Sequence, residues 1–269
     1  MRSATRRWMP AILPSLTVLS LALLVVTQRA TAQSTVLPAG QSQFAITQNG
    51  KTLGHTESNI SRLANGYAIE SHGEMSLGKF RYSFTSHNQL DAELDVVRDS
   101  ITGEVNGKQG SFEAASSTDG RTFLIHTSGG GKSESNTLTR HQNLVVLPDF
   151  DAASYVEMVH FAMEQPKYAW ILIPKQNGIL VPCHYQPQAD VRGVWNGTSI
   201  DAHHTTVIVS AQNAVSVELY YSNDGTLLEA DLPQQNFYVI RDGFHLINRP
   251  KSEIPHVAEA PSQQQQPQQ

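Results

Sequence analysis

Apolar and polar positions alternate along most of the chain. Phe80, Tyr82 and Phe84 stand against Arg81, Ser83 and Thr85; Leu94 and Val96, then Phe123 and Ile125, continue the pattern. A period of two sends successive side chains to opposite faces of a strand. The runs are punctuated by Asn49-Gly50, Asn65-Gly66, Asn106-Gly107, Asp119-Gly120, Asn177-Gly178, Asn196-Gly197, Asp224-Gly225 and Asp242-Gly243. Such pairs supply the positive φ angles of tight hairpin turns. Three later runs, 170–173, 206–209 and 215–221, are more fully apolar, which predicts strands at the centre of a sheet.

One segment breaks the alternation. Residues 149–165 have helical spacing, with Ser154 and Glu157 as a capping box, Asp151 as an alternative cap and Pro166 as the stop. Glu157, His160 and Glu164 form one stripe, expected to be solvated, while Tyr155, Val156, Met158, Val159, Phe161 and Met163 cover the rest. A helix near 152–165 with so much apolar surface is expected to be buried. The pattern as a whole predicts a mainly β fold: a strongly curved antiparallel sheet or partly open β-barrel of about eleven strands with one buried helix, since exposed sheet edges must be closed or covered. One domain is expected over 41–249, followed by a disordered Pro/Gln-rich tail over 250–269.

The N-terminus changes the picture by adding a compartment. Arg2, Arg6 and Arg7 precede an apolar run from Ala11 to Val26, and Ala30-Thr31-Ala32 follows, the three parts of a cleaved signal peptide over 1–32. The apolar run is about sixteen residues and holds Pro14, whereas a spanning helix needs roughly twenty, so no transmembrane anchor is expected after cleavage. An exported protein, periplasmic or secreted, is the expectation. Removing Arg2, Arg6, Arg7 and Arg29 leaves 15 of the 19 basic residues against 24 acidic ones, a surface that argues against nucleic acid as a partner. Cys183 is the only cysteine, so stability must come from the core without an intramolecular disulfide.

The sequence holds no recognisable catalytic centre. Gly129-Gly130-Gly131-Lys132-Ser133 resembles the end of a phosphate loop, but His126 stands where the motif needs glycine and no helix follows. Glu157 and His160 have ligand spacing on a single helix, and His203-His204 diverge on a strand; neither predicts a metal site, and no cofactor is expected. Cys183 and His184 are adjacent, so on a strand they point apart. No G-x-S-x-G elbow occurs. Asn59 and Asn196 head glycosylation sequons that matter only in a eukaryotic secretory pathway.

Two hairpins carry a family likeness. The segment 217–228, with Val217, Leu219, Tyr221, Asp224-Gly225 and Leu227, resembles the V-x-L-x-Y-x-x-D-G-x-L hairpin of exported bacterial proteins related to the LolA/LolB half-barrel carriers, and 44–54 resembles their opening hairpin. The resemblance covers roughly a tenth of the chain and implies a concave face that holds acyl chains beneath a helical lid. It leads to an expected non-enzymatic carrier or binding protein for an acyl or lipid ligand. Phe80, Tyr82, Phe84, Trp170 and Trp195 would line the sheet, with Tyr155, Met158 and Met163 contributed by the helix. The alternatives are a structural or assembly factor of the cell envelope that offers a sheet edge to envelope proteins, and a hydrolase whose titratable groups cluster inside the concavity.

Overall fold

A computed structural model describes residues 36–175, 178–210 and 215–250, all within the unit Thr35–Gln269. The expected signal peptide, Asn177 of one turn pair and the tail beyond Pro250 lie outside the described residues. Hairpins dominate the first half: β1 (Gly40–Gln48), β2 (Lys51–Leu63), β3 (Gly66–Leu77), β4 (Phe80–Leu90), β5 (Val96–Val105), β6 (Lys108–Ser116), β7 (Thr122–Gly129) and β8 (Lys132–Thr139). Each pairs antiparallel with the next. The turns follow local chemistry, with positive φ at both Asn49 and Gly50, and at both Asn106 and Gly107, as the mirror-image hairpin turn requires.

The second half comprises β9 (Leu144–Val146), α1 (Ala152–Glu164), β10 (Ala169–Ile173), β11 (Ile179–Pro187), β12 (Val191–Trp195), β13 (Thr198–Val209), β14 (Val215–Tyr221), β15 (Leu227–Leu232), β16 (Phe237–Arg241) and β17 (Phe244–Leu246). β16 returns to pair with β1, joining the halves. From there the sheet runs through β15, β14, β13, β11 and β10 to β9, the last pairing being parallel. β12 pairs with the first half of β13 and with β17. Among the described residues β8 pairs only with β7 and β9 only with β10, so the sheet is open.

Among the described residues seventeen strands form this sheet, which corrects the expected number of about eleven. The excess comes from elements such as β9 and β17, three residues each, too short to display a period of two. The apolar run in β10 also proves to lie beside the edge strand β9, where it is buried by curling of the sheet and not by a central place in it. β14 does fit its central expectation, being buried at every position after Val215.

Helix α1 touches β2, β3, β9, β11, β14 and β15, strands from both arms of the sheet, which therefore curls around it. Tyr155, Met158 and Val159 are at most 1 % exposed in one continuous apolar core. The helix is capped by Asp151, whose carboxylate accepts from Ala153 N at 2.9 Å, and ends at Gln165 with φ 49° just before Pro166. The expected capping box does not form. Ser154 Oγ instead donates to the carbonyl of Val146 at 2.7 Å, and Glu157 points into the sheet.

Candidate functional site

Strand register brings an unusual row of residues together on the inner face of the first arm. Phe84 lies opposite Gly103, Gly103 opposite Gly110, Gly110 opposite Gly129, and Gly129 opposite Lys132. None of the three glycines has a positive φ, so backbone conformation does not require them. A Cβ on Gly103 or Gly110 would approach a neighbouring carbonyl oxygen to 3.2 Å, and one on Gly129 would come no closer than 3.7 Å to anything. Glycine within a strand often marks close approach of a ligand or a bend. Here the three together leave a trough with no side chains between Phe84 and Lys132.

Above that trough lies a cavity of about 470 Å³, within the usual range for small-molecule sites. Tyr82, Ile101, Val105 and Phe112 supply its apolar walls, and Lys108, Lys132 and Glu134 stand at the hairpin ends. Two loops close the opposite side, through Pro148-Asp149 and Pro174-Lys175. They are tied by the ion pair between Lys175 Nζ and Asp149 Oδ2 at 2.8 Å.

The helix lies outside this lining and is held to the sheet by a buried polar seam. Ser58, Ser71 and Ser86 lie side by side on β2, β3 and β4, and Asn88 lies opposite Asp99 on β5. Ser71 Oγ donates to Asp151 at 2.6 Å and Asn88 Nδ2 donates to Glu157 at 2.7 Å. Glu157 is 3 % exposed and Asp99 2 %, which corrects the expectation that Glu157 belongs to a solvated stripe. Helical spacing showed which residues share a stripe, but not that Glu157 meets a polar strip of sheet while His160 is half-buried and Glu164 exposed. Burial raises the pKa of Asp99 and Glu157 well above the carboxylate range, and raises that of Asp151; neighbouring carboxyls reinforce the shift for Asp99 and Glu157, while hydrogen bonds from Ser71 and Ala153 oppose it for Asp151. Protonated acids fit a cluster in which Asn88 Oδ1, Asp99 Oδ1 and Glu157 Oε2 have no hydrogen-bond partner among the described residues. None of the three acids lines the cavity.

Of the aromatic and methionine positions expected at a site, only Tyr82 lines this cavity. Its ring stacks on Phe84 at 5.7 Å and meets Phe150 edge-on at 6.4 Å. Tyr155 and Met158 are core residues behind it, Met163 packs half-buried on the same core, and Phe80 is 39 % exposed. Trp170 stacks on His141 at 3.8 Å near the β9–β10 edge. Trp195 lies apart from these, under the Arg241 guanidinium, beside a second small cluster of Ala202, Leu228 and Phe244. Ile101, Val105, Phe112 and the glycine row were not read from the sequence; the only signal was glycine recurring inside strand patterns.

The other groups weighed as chemistry are separated. His203 Nδ1 meets Asp190 at 3.0 Å and His204 Nε2 meets Glu218 at 2.8 Å, on opposite faces of β13. Burial pushes the Cys183 thiol up to about 12, unsuited to a nucleophile. Among the described residues no group of three His, Cys, Asp or Glu is arranged to hold a metal ion, and no helix is long and apolar enough to cross a membrane.

No family model and no curated protein matches the chain. Among solved structures, it is similar to a β-barrel-like protein of domain of unknown function DUF1849 from Brucella abortus. That likeness has a TM-score of 0.52 and 8 % identity, over 79 % of this chain and all of the other. A DUF1089 family protein from Pseudomonas aeruginosa gives a TM-score of 0.39 and 14 % identity, over 67 % of this chain and 90 % of the other. The first likeness supports a mainly β, β-barrel-like fold.

Proposed function

We propose that the chain is a non-enzymatic exported protein, periplasmic or secreted after loss of residues 1–32, that carries or binds a hydrophobic acyl or lipid ligand. In this reading the curled sheet is a partly open half-barrel related to the LolA/LolB carriers. The observation that carries it is the cavity of about 470 Å³ walled by Tyr82, Ile101, Val105 and Phe112. The ligand site lies at the hairpin ends and not under the middle of α1, because Tyr155 and Met158 are already packed in the core. The test is solvent extraction and mass spectrometry of the mature protein exported and purified without detergent, beside Val105→Glu. Val105 is 42 % exposed, so a carboxylate there opposes an apolar ligand while sparing the fold. Acyl ligand in the wild type and none in the folded variant supports the proposal; a wild type that is empty and takes up no added lipid overturns it.

One observation favours a second reading, an envelope assembly factor. β8 is exposed at every position but Leu138 and, among the described residues, pairs with β7 alone, an edge to which a partner strand can add. A hydrolytic reading would rest on Asp99, Asp151 and Glu157, but these buried acids do not line the cavity and serve to anchor the helix.

A further inference from the structure

We propose that the occupant of this cavity is a single-chain amphiphile with an anionic head, its chain lying across the glycine trough and its head at Lys108 and Lys132. The inference rests on the carrier reading above and adds polarity to it. The part of the row that lines the cavity, Gly103–Gly110–Gly129–Lys132, is asymmetric, with Tyr82 of β4 beside its inner end and an ammonium at its outer end. Three strand spacings separate Gly103 from Lys132, about 14 Å, a path suited to one extended acyl chain. Three adjacent positions without Cβ atoms make the trough narrow and smooth, whereas side chains stand on both flanks: Ile101 and Phe112 on one, Val105 and Lys108 on the other.

Charge on the rim supplies the second argument. Lys175 is held by Asp149, and Glu134 is engaged within the protein. Lys108 and Lys132 are exposed and form no ion pair among the described residues. Two ammonium groups beside an apolar trough complement a carboxylate or phosphate head; an uncharged head would gain nothing from them. The chain is acidic overall, −5 at pH 7, so three lysines against Glu134 and Asp149 around one cavity are a local excess of positive charge and not a sample of the general surface.

The test is calorimetric titration of the mature protein with laurate, dodecyl phosphate and monolaurin, the uncharged glycerol ester of the same chain. Acetate and inorganic phosphate serve as chainless controls. Laurate and dodecyl phosphate should bind about tenfold or more tighter than monolaurin, and acetate and phosphate should not bind measurably. Lys108→Gln/Lys132→Gln should abolish the preference and leave monolaurin unchanged. Gly129→Val should weaken all three amphiphiles; Gly129→Ala, with ordinary contacts at its Cβ, is the control that folds with a smaller effect. Equal affinity for laurate and monolaurin, or a preference that survives the double substitution, overturns the anionic head while the carrier reading stands. Binding of acetate or phosphate as tight as that of the amphiphiles reduces the site to an anion site and overturns the trough. Failure of every amphiphile to bind overturns both this inference and the carrier reading.

Discussion

Three carboxyls share the dry space between α1 and the β2–β5 sheet, and their protons set a pH dependence. Asp99 and Glu157 have folded pKa values raised by burial and by one another's neighbours, against unfolded values near 4. Above the unfolded value the unfolded chain sheds protons that the folded chain retains, so stability falls as pH rises toward the folded values. Each unit between folded and unfolded pKa is worth about 1.4 kcal/mol. The wild-type unfolding midpoint should therefore decline as pH rises above the unfolded carboxyl value of about 4, and Asp99→Asn and Glu157→Gln should each flatten the decline and be the more stable at its upper end. Thermal melts across that range check it. Variants whose slope matches the wild type would show that these acids ionise freely in the fold.

The helix is the element on which the interior depends. Asp151 both caps α1 and receives the Ser71 hydroxyl from the sheet, so one carboxyl fixes the helix to its own first turn and to β3. Asp151→Ala removes a cap worth about 1 kcal/mol and leaves buried donors unmet at about 1–3 kcal/mol. The expected loss is roughly 2–4 kcal/mol in chemical denaturation, and Asp151→Asn, which still caps, should lose less. Equal losses for the two would show that the cap contributes little. Much of this element was legible: its apolar spacing, its stop at Pro166 and Asp151 as a candidate cap are local features. What Ser154 and Glu157 do was not legible, because Val146 and Asn88 reach them only through the tertiary fold.

Across the whole molecule, the outer face of the second arm carries a comparable polar anchor. Arg249 binds Glu229 and Asp231, which are 0 % and 4 % exposed, and stacks on Tyr238 at 4.3 Å. It ties the chain beyond β17 to β15. Removing one partner of a buried charge group leaves the other uncompensated at about 3–5 kcal/mol; because Arg249 is itself partly exposed, Arg249→Met should cost less, about 1–3 kcal/mol. Urea unfolding measures this, and a loss below about 0.5 kcal/mol, the scale of ordinary surface changes, would mean that the two acids are accommodated without it.

The sequence by itself determined the hairpin turns, the alternating strands and the one helix, since Asn-Gly dihedrals, a period of two and a proline stop act over a few residues. The tertiary structure alone decided that seventeen strands join in one open sheet, that Glu157 faces a polar seam, and that Gly103, Gly110 and Gly129 stand side by side. The reason is register: which residues oppose one another depends on every turn and bulge along the arm, and no local pattern carries that sum.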